Sequence, residues 1–382
     1  MDINMKKLMT IILSAVLMLA LGADAGAEEP ADIASLAEDY GVSDTADSLP
    51  YDAAEFLREN NISPDDPDGI TSLSPKTVIS YMTEKLKHSA ASPLRLFGTV
   101  FSVIILAAAG GAAADIVQSG SEKIYRTAAV LAAVGVTVPS LESCLDTAAD
   151  TLIRGSDFLV CYVPVFTGIA AASGSVTASA GYSMTVLLLA QAAVKIASEV
   201  LVPVISVCMA MNIIDAVNPS FSLSSVTGLL KKWTSLLLGL MMTVFTGLLS
   251  IQSIVGTSAD TLGVKTAKFV VSNFVPIVGS AVADAYTTMR SGLGLLKGTA
   301  GAFGIIALCV ILLPPVIETA CLYLAMTAGK AAAELFGAKE LGRFFGGAAS
   351  LLAMTGAVLA CFAVMFVIST VILMAAGMSA LG

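Results

Sequence analysis

Long apolar runs, broken at intervals by short charged or proline-bearing stretches, set the pattern of this chain. About 20 consecutive apolar residues in a helix cross a bilayer's hydrocarbon layer. On that basis the runs predict six full spans: Arg95–Ala114, Thr127–Leu141, Ser183–Ile213, Trp233–Val255, Ala302–Ala328 and Gly347–Ala376. The second is short, and the third and last are long enough to tilt or bend. Two further segments, Phe158–Gly181 and Phe269–Ala285, start apolar, carry an aromatic-Val-Pro element, and then turn rich in Gly, Ser or Ala. Proline removes an amide donor and opens the helical ladder, and non-helical backbone at membrane depth must be sheltered by protein. Both segments therefore read as re-entrant or broken helices packed inside the bundle.

These two segments also belong to a concealed duplication. Tyr162-Val163-Pro164-Val165 returns as Phe274-Val275-Pro276-Ile277, an offset of 276 − 164 = 112. In the same frame Pro203-Val204-Ile205 meets Pro315-Val316-Ile317, Lys231 meets Arg343, and Met242-Thr243 meets Met354-Thr355. A parallel repeat with halves at about 157–256 and 269–368 follows, the architecture of membrane proteins that enclose a pathway.

Composition supports the membrane reading. The chain is 56% hydrophobic and 13% charged, against about 25% charged in soluble domains. The first 27 residues read as a signal peptide, with Lys6-Lys7, the apolar core Leu8–Leu21, and Ala25-Gly26-Ala27 before Glu28. Charge is then unevenly divided. Glu28–Ser92 holds 14 acidic and 4 basic residues, a net of −10, and 93–382 holds 13 acidic and 14 basic, a net of +1. Residues 28–92 thus form an acidic extracytoplasmic segment ahead of a polytopic membrane domain over 93–382. Short helices are expected there at Ile33–Tyr40 and at Tyr51–Asn60, the latter led by Pro50. The fold class is all-α polytopic.

Charge placement fixes an expected topology. A loop after the second span holds Glu142, Asp146, Asp150 and Asp157 against Arg154 and belongs outside, while Lys231-Lys232 and the Lys330, Lys339, Arg343 group belong to the cytoplasm. If both proline segments dip in and return, Lys231 and Arg343 share one side, as a parallel repeat requires.

Candidate functional residues are few. Lys195 and Glu199 stand four apart on one helix face within a span, where ionisable groups are costly and pair or face water. Glu318 follows the Pro314-Pro315 break and is a candidate lining or interhelical group. Asp284 ends the second proline segment, where it could cap a half-helix. Pro164, Pro276 and Gly279 complete the motif set. Six scattered cysteines, one histidine (His88) and no Cys-x-x-Cys leave no metal site. There is no phosphate loop, His-Glu-x-x-His or Gly-x-Ser-x-Gly, so neither catalysis nor a cofactor is expected.

Tyr162–Phe166 with Ala171–Ser175, and above all Asn273–Ala285 (Asn-Phe-Val-Pro-Ile-Val-Gly-Ser-Ala-Val-Ala-Asp-Ala), resemble the stage III sporulation protein AE family of endospore-forming Firmicutes. The resemblance runs from about Ser74 to the C-terminus. It implies a polytopic component of the transenvelope channel or secretion-like complex joining mother cell and forespore, seated in the mother-cell membrane around the forespore. It also implies partners: an ATPase, a platform protein, ring-forming proteins and a forespore-side receptor, with membrane lipid, no nucleic acid, and homo-oligomerisation left open. Two other readings stand beside it. One is a stand-alone secondary transporter using Lys195, Glu199 and Glu318; the other is a structural anchor that recruits ring-forming proteins through its acidic segment.

Overall fold

The computed structural model describes residues 37–66, 69–70, 80, 93, 95–110, 122–173, 176–218, 223–274 and 279–375; Pro276 and the signal peptide lie outside them. Side chains are described outside 121–123, 174–178, 180, 253, 255–291 and 373–375. Among the described residues the chain is helical, with no strand.

Two short helices, α1 (Asp44–Asp47) and α2 (Tyr51–Glu59), open the described chain. Pro50 stands at the N-cap of α2, where its missing N–H costs nothing, and Ala53, Phe56 and Leu57 form the buried face. The helix stops because Asn61 takes a left-handed φ of 52°. The Ile62 amide then reaches the Leu57 carbonyl and the Asn61 amide the Arg58 carbonyl, closing the C-terminus as a Schellman motif.

The membrane body begins with α3 (Arg95–Gly110). It continues with α4 (Glu122–Ala172), α5 (Val176–Ile196), a π-helical turn at Ala197–Leu201, and α6 (Val202–Val217). Three long helices follow: α7 (Ser224–Phe274), α8 (Gly279–Leu335) and α9 (Lys339–Ala375). Five stretches are long and apolar enough to cross a membrane: Ile124–Ala172, Gly181–Val217, Ser224–Gln252, Gly292–Leu335 and Lys339–Ile372. They fall on five of the six expected spans, and α3 covers the sixth as a shorter apolar helix.

Two expectations need correction. The acidic stretch after Leu141 is no loop: α4 runs unbroken for 51 residues and contains both Pro139 and Pro164. At 1.5 Å per residue it is about 76 Å long. Glu142, Asp146, Asp150 and Asp157 all sit on its exposed side, so the helix continues through them without burying charge. Nor does the helix break at Pro164. Val160 and Pro164 are both exposed, which leaves the carbonyl deprived of its donor on the open side. The chain turns only at Ser173.

Two apolar cores are threaded by the same helices. Phe158, Tyr162, Phe166, Phe245, Phe303 and Phe362 mark the first, onto which the acidic segment docks through Val42, Phe56 and Leu57. Leu141, Cys208, Met326, Phe344, Phe345 and Leu352 mark the second. The α8–α9 turn closes the second core's end: Gly337 has φ 73°, and the Ala338 amide bonds the Ala333 carbonyl at 2.9 Å.

Candidate functional site

Cross-helix contacts fix the axial register. Gln191 on α5 donates to the Ser156 hydroxyl on α4 at 2.8 Å. Because α4 and α5 run antiparallel, residues whose numbers sum to 191 + 156 = 347 are level. Lys195 is therefore level with residue 152, and Glu199 with residue 148. Gly155 on α4 abuts Phe366 of α9, and Arg126 pairs with Glu340 at 3.2 Å, so these two helices run parallel. Helix α7 runs parallel to α9 as well: Lys231 donates to Ser350 at 2.8 Å, and the Cys361 and Met242 sulfurs lie 3.9 Å apart. Asp150 on α4 is consequently level with Cys361 on α9 and Met242 on α7.

At this level the two sides of the bundle differ. On α4 and α5, Asp150, Arg154, Lys195 and Glu199 are exposed, interleaved with exposed Ile153 (43%) and Val200 (45%). Lys195 and Glu199 make a loose 3.9 Å ion pair across the π-helical turn, and their side chains are 72% and 64% exposed. They pair with each other, as their spacing allows, and point away from the bundle interior. On α7 the exposed residues at the same level are uncharged: Leu240 (58%), Val244 (44%) and Leu248 (41%), with Gly239, Thr243 and Gly247 between them. Helix α4 packs on α5, α8 and α9, and α7 packs on the same three, so α8 and α9 stand between α4 and α7, and α5 adjoins α7 directly.

The remaining candidates are dispersed. Pro164 lies within α4, four turns beyond Asp150, outside the charged level. Glu318 is half-buried on α8 beside Cys144 and Cys321. The Cys144–Thr319 contact of 3.3 Å puts it level with residues 145–146 of α4. Gly279 begins α8, and Asp284 lies five residues inside it, away from the capping position expected for it; the side chains of both are outside the described set. Pro276 falls in 275–278, between α7 and α8. Lys231 and Arg343 do share one end of the bundle, near the α6–α7 connection and the α8–α9 turn.

Sequence reading missed Asp146, Asp150 and Arg154 as one helix stripe. The signal was present: 142, 146 and 150 recur at four-residue intervals, which places them on one face. It also missed the packing that locks the register. Tyr162 is fully buried, stacked between Phe158 and Phe166 at centroid distances of 5.3 and 5.2 Å, and donates to the Ala300 carbonyl at 3.1 Å. Asn212 donates to the Phe344 carbonyl at 3.0 Å inside the second core. Among the described residues no group of three or more His, Cys, Asp or Glu could hold a metal ion.

Comparison with known proteins bears on this arrangement. The family described as Stage III sporulation protein AE matches residues 66–377. Stage III sporulation protein AE of Bacillus subtilis (strain 168) is 24% identical over 337 residues, which cover 82% of this chain and 83% of that protein. No solved structure matches. A match that takes in α3, all the long helices and the charged level leaves one assignment: the chain is a multi-pass membrane protein that belongs to the stage III sporulation protein AE family.

Proposed function

We propose that the chain is the membrane component of a channel or secretion-like complex connecting mother cell and forespore, required for forespore development after engulfment. The observation that carries this reading is the family match across the whole membrane body. The five apolar helices support a seat in a membrane; on this reading it is the mother-cell membrane around the forespore, with the acidic segment in the intermembrane space. The α4–α5 hairpin, turning at Ser173, flanks the passage. The chain does no covalent chemistry of its own. Drive comes from an ATPase partner, and a platform protein, ring-forming proteins and a forespore-side receptor complete the assembly.

The test is a clean deletion in the sporulating host, complemented by the intact gene. Cells lacking the chain should complete engulfment, then arrest, with a small fluorescent tracer released in the mother cell failing to reach the forespore. Normal tracer arrival and normal spores without the chain would overturn the proposal. Solute uptake by vesicles containing the purified chain alone would replace it with a stand-alone transporter.

A further inference from the structure

Every 20-residue window within Gly181–Val217 includes Glu199, and every one that starts at residue 195 or before also includes the outward-pointing Lys195. The chain of contacts through Ser156, Phe366 and Met242 places Asp150 and Arg154 beside it on α4. The same contacts place Leu240, Val244 and Leu248 at that level on α7. Were this level wholly in lipid, four ionisable side chains would face hydrocarbon. Were it wholly in water, a continuous apolar stripe on α7, from Trp233 through Ile251, would face solvent. Neither environment suits both sides.

We infer that the α4–α5 side faces water at this level, within the thickness of the membrane, while the α7 side faces lipid. Ion pairs and carboxylates inside membrane proteins characteristically border water-filled cavities, and a π-helical turn such as Ala197–Leu201 is a frequent mark of functional segments. The strip bears cations (Arg154, Lys195) and carboxylates (Asp150, Glu199) side by side, so the solutes it suits are small, hydrated and charged, and apolar solutes are disfavoured. This deepens the passage reading and rests on it only for what the water connects.

Single cysteines placed at Asp150, Glu199, Leu240 and Val244, in a chain whose six native cysteines are replaced, test it in intact membranes of sporulating cells. Spore formation by the cysteine-free chain confirms that it assembles. A charged, membrane-impermeant thiol reagent should modify D150C and E199C at least about tenfold faster than L240C and V244C, because the thiolate reacts and an apolar setting suppresses it. Equal rates at all four positions, or silence at D150C and E199C, would overturn the inference; silence relieved only by detergent would assign that side to lipid or a protein partner. Tracer transfer to the forespore is scored separately, so the passage reading can fail while the labelling pattern holds, and the reverse.

Discussion

Gly304→Ala is the sharpest packing test, because its sign opposes the usual rule. Gly304 lies inside α8, where replacing Gly by Ala ordinarily stabilises a helix by about 1 kcal/mol. Here an added Cβ would sit 2.2 Å from Tyr162 Cζ and 2.4 Å from its hydroxyl oxygen. Tyr162 has nowhere to go: it is stacked on Phe158 and Phe166 and tied to the Ala300 carbonyl. Overpacking of this kind costs about 1–3 kcal/mol, and pulling a buried hydroxyl from its acceptor adds about 1–3 kcal/mol. Set against the helix gain, the net is a loss of about 1–5 kcal/mol. The control is Gly298→Ala, six residues earlier on the same helix, whose Cβ meets nothing within 4 Å. Thermal unfolding of the purified chain in one detergent should rank Gly298→Ala above the parent and Gly304→Ala below it. Combining Gly304→Ala with Tyr162→Leu should recover part of the loss, a coupling that a double-mutant cycle isolates. A Gly304→Ala protein that melts at or above the parent temperature would refute the Tyr162 packing.

Three further outcomes follow from the same geometry. Gly347→Ala would drive a Cβ to 1.7 Å from Asn212 Oδ1, so it should lower the melting temperature through about 1–3 kcal/mol of overpacking, and Asn212→Ala should restore most of it. Gly337→Ala meets no atom, yet its φ of 73° costs an L-residue about 1–2 kcal/mol, seen as a lowered melting temperature with no change in assembly. Pro164→Ala should keep or raise stability, by up to about 3 kcal/mol, the proline penalty inside a helix, since α4 continues through that residue; a lowered melting temperature would mean that the proline shapes the helix.

Much of the fold was legible in the chain because apolar length is a local property. Every expected span overlaps an observed helix, and Pro50 marks the start of α2. What escaped were properties of helix faces and of continuity. The acids between Glu142 and Asp157 look like loop residues when counted, and look like a helix stripe only when their four-residue spacing is set against the exposed side of α4. Pro164 signals a break by its chemistry, but its exposed position tolerates a missing hydrogen bond. The ion pair Lys195–Glu199 was visible as spacing; that it points outward at the level of an apolar α7 face depends on contacts between helices that no single segment encodes.

The account depends most on α4 being one straight rod through its charged stretch, since the level-matching of the two sides is counted along it. Spin labels at E142C and at the native Cys161, both exposed positions, with the other five cysteines replaced, measure this by pulsed electron resonance in bilayers. Nineteen helical steps predict one narrow distance distribution centred at about 29 Å. A broad distribution, or one centred below about 20 Å as a folded-back loop would give, would contradict it.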